Sequence, residues 1–403
     1  MTITRHEYTA TIVGTSTRLE PTGGFVAFDE TWSPYVTAEI VVPLVTPQVR
    51  ALLDPRAGAR VRLNAAARFG TPAPVADVTA DVGGDLELIN DLWSGRTLRD
   101  LSADYSTPYN IFGLRDSHVL NADLAVRRAT DDPLDGTTTI TLASDEALAQ
   151  DAGLVASSPL VVGVTNARAA VTFALATIGA TLEPGSANGT ISADSTVWEP
   201  GVNVWDYLTP LVEATGLRLW CDERRRWHLT VPLTPGLDVF AATAATIIDD
   251  QHTLDTQEDY ADAVVIRYTW LNVAGETQVA YDAAGSTSAR RVMRLDRARP
   301  IPAVGAAAYL RERTIRRGLA KTLTQVSNYT VRPGHTVVAS GDQGIFYGLA
   351  SLVEFNLSED QMRVRTRELT EASAYSWGVQ PPGHRWQDVP AGTDWTEYEP
   401  PEV

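Results

Sequence analysis

Apolar and polar residues alternate along most of the first 150 positions, the period of a half-buried strand. The opening segment MTITRHEYTATIVG follows this pattern, which predicts a strand and not the apolar block of a signal peptide. Thr37–Val42 is a second strand. In a third, Val61, Leu63, Ala65, Ala67 and Phe69 interleave with Arg60, Arg62, Asn64, Ala66 and Arg68. The run Asp54-Pro55-Arg56-Ala57-Gly58 before it is turn chemistry, because proline fixes φ and glycine accepts a positive one. Val75–Val82, Asp85–Leu92, His118–Thr130 and Thr137–Leu142 read as further strands, and Thr97 with Asp100 caps a short helix over Leu98–Ala103. Many short strands with frequent turns favour a barrel or sandwich.

The period then changes to that of a helix. Asn166 caps a segment whose apolar face holds Ala170, Val171, Ala174, Leu175 and Ile178, with Gly179 as its stop. After the Pro184–Thr190 stretch comes the unit WEPGVNVWDYLTPLVEATGLRLWCDERRRWHLTV, Trp198 to Val231. Asn203 and Asp206 form a capping-box pair, and Val204, Leu208, Leu211, Val212 and Thr215 share one helical face ended by Gly216. Leu217, Leu219 and Cys221 then point one way, Asp222–Arg226 turn, and Trp227, Leu229 and Val231 return. A helix laid on a hairpin is a packing unit.

Residues 241–375 return to strands: a hairpin of Ala263–Trp270 and Gly275–Tyr281, then Thr322–Val331, His335–Ser340, Gly344–Leu357 and Met362–Glu368. One helix interrupts them after Pro300 and Pro302, with Val304, Ala308, Ile315 and Leu319 on its apolar side. Arg311, Arg313, Arg316 and Arg317 face mostly elsewhere, toward solvent or toward an acidic partner. Beyond 375, Trp377, Trp386 and Trp395 recur every nine residues among prolines and glycines, near Tyr398. An extended tryptophan-bearing arm either folds back over its own barrel or docks into a neighbour through those four side chains. The predicted units are 1–150, a β-barrel; 151–240, small α+β modules; 241–375, a second barrel with one helix; and 376–403, the arm.

The composition adds exclusions. With 403 residues, 44% hydrophobic and 21% charged, the chain is globular, and no apolar run is long enough to span a membrane. A net charge of −17 opposes nucleic-acid binding but suits a channel that duplex DNA traverses without sticking. Cys221, the sole cysteine, permits no intrachain disulfide and reads as a buried hydrophobe. Six scattered histidines form no metal pair, and neither a nucleophile elbow nor a phosphate loop is present. The densest polar group, Asp249, Asp250, His252, Asp255, Glu258 and Asp259, is an acidic loop or a weak cation site that lacks the features of a calcium loop. Asp131, Asp132 and Asp135 before Gly136 are ordinary turn composition. The chain predicts no catalytic residue, metal or cofactor. Trp93, Trp198 and Trp220 are either packing residues or platforms for sugar rings.

Three stretches carry a family resemblance: Trp32–Leu63 (WSPYVTAEIVVPLVTPQVRALLDPRAGARVRL), the Trp198–Val231 unit, and Val331–Leu369 with its PG turn and RTRE ending. In this order they resemble the tail-tip hub proteins of long-tailed bacteriophages, similar to minor tail proteins of siphovirus-type phages of actinobacteria. The resemblance implies a structural virion protein of the tail tip, assembled in the host cytoplasm. Its fold would be mainly β, with two hub-type β-barrels flanking helix-plus-hairpin modules. It implies a homotrimeric ring that adapts to the hexameric tail tube around the channel for DNA and tape measure protein. Its partners would be the distal tail protein, the tape measure protein, and fibre, receptor-binding or other minor tail proteins. The alternative is a tail protein that itself binds carbohydrate or a receptor on the host surface.

Overall fold

The computed structural model describes residues 3–70, 116–232, 239–243, 246–254, 260–272, 274–317, 319–341 and 344–368. The first segment holds β1 (Ile3–Ile12), β2 (Arg18–Leu19), β3 (Gly23–Asp29), β4 (Val36–Pro43), α1 (Pro47–Leu52), β5 (Arg60–Gly70), β6 (Asp116–Asp132) and β7 (Thr137–Ala143). The middle segment carries α2 (Glu146–Asp151), β8 (Leu160–Val161), α3 (Ala167–Ala176), β9 (Val197–Trp198), α4 (Val204–Glu213), β10 (Arg218–Cys221) and β11 (Trp227–Thr230). The last contains β12 (Val239–Thr243), β13 (Ile247–Leu254), β14 (Ala263–Leu271), β15 (Thr277–Ala284), β16 (Val292–Arg297), α5 (Ala306–Ile315), β17 (Leu319–Val326), β18 (Thr336–Gly341), β19 (Gly344–Asn356) and β20 (Gln361–Glu368). The strands at Val75–Val82 and Asp85–Leu92 and the helix at Leu98–Ala103 lie outside the described residues, as does the arm.

The fold is mainly β. One sheet of thirteen strands runs β13-β17-β20-β19-β3-β4-β7-β6-β5-β1-β2, with β18 beside β19 and β12 beside β18. It draws strands from both ends of the chain, joined where β19 meets β3 with Val353 opposite Phe28. Among the described residues no pairing closes this path on itself. Two long strands bend the sheet. β6 pairs with β5 up to Ala125 and with β7 from there on, and its register shifts between Val126 and Arg128. β19 pairs with β18 up to Leu349 and with β3 from Leu352, and its register against β20 shifts between Ala350 and Leu352. In each case a bulge sits where the strand changes neighbours, the place where extra twist turns a strand out of one ladder into another.

Alternation explains the sheet's burial. Val61, Leu63, Ala65 and Ala67 are buried, together with Ala38, Ile40 and Val42 of β4 and Leu120, Ala122 and Leu124 of β6. These belong to one core that also takes in Leu323, Val353, Phe355 and Val364 from the C-terminal strands. Phe28, Phe355 and Tyr329 link its two halves, with ring centroids 6.1 and 5.0 Å apart. A second core holds α3, α4 and the β10–β11 hairpin. In the third, α5 packs on the sheet β15-β14-β16. The hairpin β14–β15 was expected; β16, which joins β14 in parallel, was not. Its alternation is only weakly apolar, with every second residue exposed.

Local signals were borne out in α3 and α4. Asn166 Oδ1 accepts from Ala169 N at 2.9 Å and Asn203 Oδ1 from Asp206 N at 2.7 Å. Asp206 does not complete a capping box, because its carboxylate accepts from the Asn203 side-chain amide instead (2.9 Å). Val204, Leu208, Leu211 and Val212 are buried as expected, and Tyr207 stacks on Trp198 at 4.8 Å. Val231, expected to face inward, lies past the end of β11 and is exposed. The apolar side expected of α5 is wrong. Val304 is 81% exposed and precedes the helix, Ala308 is exposed, and the buried residues are Ala306, Ala307, Tyr309 and Thr314.

Candidate functional site

The three cores meet at a cleft, and a pair of consecutive acids holds the junction. Asp145 and Glu146 open α2 and are both buried. Asp145 accepts from Arg60 Nη1 on β5 at 2.7 Å and from Arg225 Nε on the β10–β11 turn at 2.9 Å. Glu146 Oε2 accepts from Ser33 Oγ (2.6 Å) and Tyr35 N (2.9 Å), and Oε1 accepts from Cys221 N (2.7 Å). Two neighbouring carboxylates thus tie the large sheet, the β3–β4 loop and the hairpin to one point. Burial pushes the Glu146 carboxyl up to about 7, against the hydrogen bonds and Arg218, which favour its charged form. The sequence signal, Ser144-Asp145-Glu146 at the start of a helix, resembles an ordinary N-terminus and gave no hint of this role.

The hairpin is clamped to the sheet. Glu223 O accepts from Asp123 N at 2.8 Å, and the Glu223 carboxylate accepts from Arg332 Nη2 at 2.9 Å. The Arg332 guanidinium lies 4.3 Å from the Phe28 ring centroid. From the far side, Arg313 of α5 donates to Glu30 O at 2.7 Å, and the Glu30 carboxylate pairs with Arg367 at 2.7 Å with both side chains buried. Arg311 donates to Asp262 O at 2.9 Å. Arg311 and Arg313 therefore join parts of this chain instead of coating a solvated face, while Arg316 pairs with Glu312 along the helix.

Between these ties lies an open cleft of about 420 Å³, walled by the β3–β4 loop, α2, α4 with β10, and α5. Trp32, at the tip of the loop, is 70% exposed on its rim. Trp205 and Glu213 of α4 and Arg218 of β10 line the opposite wall. Burial raises the Glu213 carboxyl above its usual range, opposed by Arg297. Arg218 stacks over Tyr35 (5.0 Å) and Trp220 (5.6 Å) and donates no hydrogen bond among the described residues. Trp32 escaped notice as an individual residue in the sequence. The signal was available: a tryptophan between Thr31 and the Ser33-Pro34 turn sits at a hairpin tip, where no core can cover it.

The other residues singled out in the sequence fall elsewhere. Trp377, Trp386, Trp395, Tyr398 and Trp93 lie outside the described residues. Trp198 is 1% exposed and cannot be a platform for a ligand. Trp220 is half-buried, between Tyr35 at 4.8 Å and His228 at 4.4 Å. Cys221 is fully buried, which pushes its thiol up. The acidic cluster is not a loop at its start: Asp249, Asp250 and His252 lie on β13, paired with β17. There Asp249 accepts from Gln251 at 3.0 Å and Asp250 pairs at 2.8 Å with Lys321, the one lysine of the sequence, which is 2% exposed. Asp255, Glu258 and Asp259 lie outside the described residues. Among the described residues no group of three His, Cys, Asp or Glu could hold a metal ion. Asp132 accepts from Leu134 N and Asp135 N, a plain turn ended by Gly136 at φ 67°. Among the described residues no helix is long and apolar enough to cross a membrane.

No family model and no curated protein matches the sequence. Solved structures share the fold. A tail protein from Neisseria meningitidis MC58 superposes with a TM-score of 0.53 at 14% identity, over 90% of this chain and 96% of that one. A 43 kDa tail protein of prophage MuSo2 from Shewanella oneidensis gives 0.52 at 10% identity, over 90% and 98%. At these identities the likeness is one of fold.

Proposed function

We propose that this chain is a structural, non-enzymatic virion protein of a phage tail, forming the homotrimeric hub at the tail tip of a long-tailed phage of actinobacteria. One observation carries the reading: the fold matches a tail protein and a prophage tail protein over 90% of this chain and nearly all of theirs. In this reading residues 1–150 and 241–375 each build a barrel-like unit around the modules of 151–240, and the two units share the sheet where β19 meets β3. Three copies would then offer six similar units to a hexameric tube. The −17 charge suits a lumen through which DNA passes without specific binding.

In this reading the hub meets the distal tail protein above and the tape measure protein within. Fibre, receptor-binding or other minor tail proteins attach at its rim. The arm, 376–403, docks on a neighbour through Trp377, Trp386, Trp395 and Tyr398. Negative-stain images of the purified chain test the proposal: a three-fold ring with a central opening is expected, and separate compact particles at every concentration contradict it. Trp386→Ala should weaken joining to the rest of the tail while leaving the chain folded. Unchanged tail yield and complex stability would remove the arm from the account.

A further inference from the structure

The cleft beneath Trp32 has the composition of a small-molecule site, and its chemistry narrows the ligand. About 420 Å³ is within the range of pockets that hold small ligands. The walls are close to charge balance: Glu30, Glu146 and Glu213 face Arg218 and Arg313, and Glu30 is further matched by Arg367. A strongly charged ligand therefore gains little. Unused hydrogen-bonding groups are nevertheless plentiful. Among the described residues the Arg218 guanidinium has no acceptor, the Gln150 carbonyl has no donor because only its amide is engaged (by Ser33), and the Trp205 indole N–H is unpaired. The Arg218 fork can span two adjacent hydroxyls, while the Gln150 carbonyl accepts from one hydroxyl and the Trp205 N–H donates to another. Trp32 adds an exposed indole face, which attracts the C–H face of a sugar ring through its quadrupole.

The frame is prepared for binding. Ser33, beside the tryptophan, is held by both Glu146 and Gln150, so the loop tip is fixed before a ligand arrives. We propose that this cleft binds a neutral saccharide, with Trp32 as the ring platform and Arg218, Gln150 and Trp205 as hydroxyl partners. The inference does not depend on the hub reading, because it requires neither a trimer nor a tail partner.

The test uses the full chain and a printed array of bacterial surface glycans, followed by calorimetric titration of the best-bound oligosaccharide. Wild type should bind saturably. Trp32→Ala should bind roughly tenfold more weakly or worse, with an unchanged melting temperature because the side chain is exposed. Trp32→Phe, which keeps an aromatic face, should recover part of the loss. Three results would overturn the assignment: no array glycan retained by the wild type, equal binding by Trp32→Ala, or a Trp32→Ala defect confined to self-association. The last would make Trp32 an interface residue between copies, and light scattering on the same samples separates it from the first two.

Discussion

Helices α4 and α5 are each ten residues long, and each packs against a sheet, yet they are built by different means. α4 carries its instructions within itself. Asn203 caps it, a stripe of Val204, Leu208, Leu211 and Val212 forms its buried face, and Gly216 at φ 72° ends it. α5 has glycine at its N-cap, and its free N–H groups are satisfied from a strand: Asp282 Oδ2 on β15 accepts from Gly305 N (3.1 Å) and Ala307 N (2.9 Å). Its buried face is two alanines, a tyrosine and a threonine whose hydroxyl donates to Ala261 O. The first helix is encoded locally and the second by its surroundings, so only the first can be read without the fold.

Substitutions sharpen this contrast. Asp282→Ala strands two N–H groups at a buried helix start and should cost about 3 kcal/mol, read from urea unfolding. A loss below about 1 kcal/mol would mean that α5 forms without its strand cap. The junction at Glu146 is a second long-range tie, and it makes a pH prediction. The folded carboxyl holds its proton up to about 7, against an ordinary 4.5, so the folded state binds more protons between those values. Glu146's contribution to stability is therefore fully present below about pH 4.5 and falls as pH rises through about 7. Unfolding across that window should show a downward slope that Glu146→Gln flattens, and an identical slope in the variant would reject the assignment.

Smaller effects are expected where coding is local. Asn203→Ala removes one cap that the backbone and water replace in part, and about 1 kcal/mol should be lost. Ala308→Lys sits on the face once expected to be buried; thermal melts should show a change within about 0.5 kcal/mol. A large loss there would restore the sequence-based orientation of α5.

The same division governs what was legible in the sequence. Strands of the large sheet such as β4, β5 and β7 were readable because one face is buried and period two survives, as in Val61, Leu63 and Ala65. In contrast, β3, β12 and β13 were not, the acids of β13 having the look of a loop. That β19 would leave β18 for β3 was not, because a partner exchange has no local signature beyond one extra residue. β16 was missed because its alternate positions are exposed. At the site, the acids of α2 look like any helix start, and only the fold brings Arg60, Ser33, Cys221 and Arg225 to them. Trp32 was not singled out, and its cleft is made by three cores that lie far apart in the chain.

The most direct measurement for the assembly account is the solution mass of the purified full chain by light scattering across a concentration series. A trimer near 130 kDa, three times the 43.6 kDa chain, is the predicted result. A mass fixed at one chain across the series, unchanged when the distal tail protein is added, would contradict it.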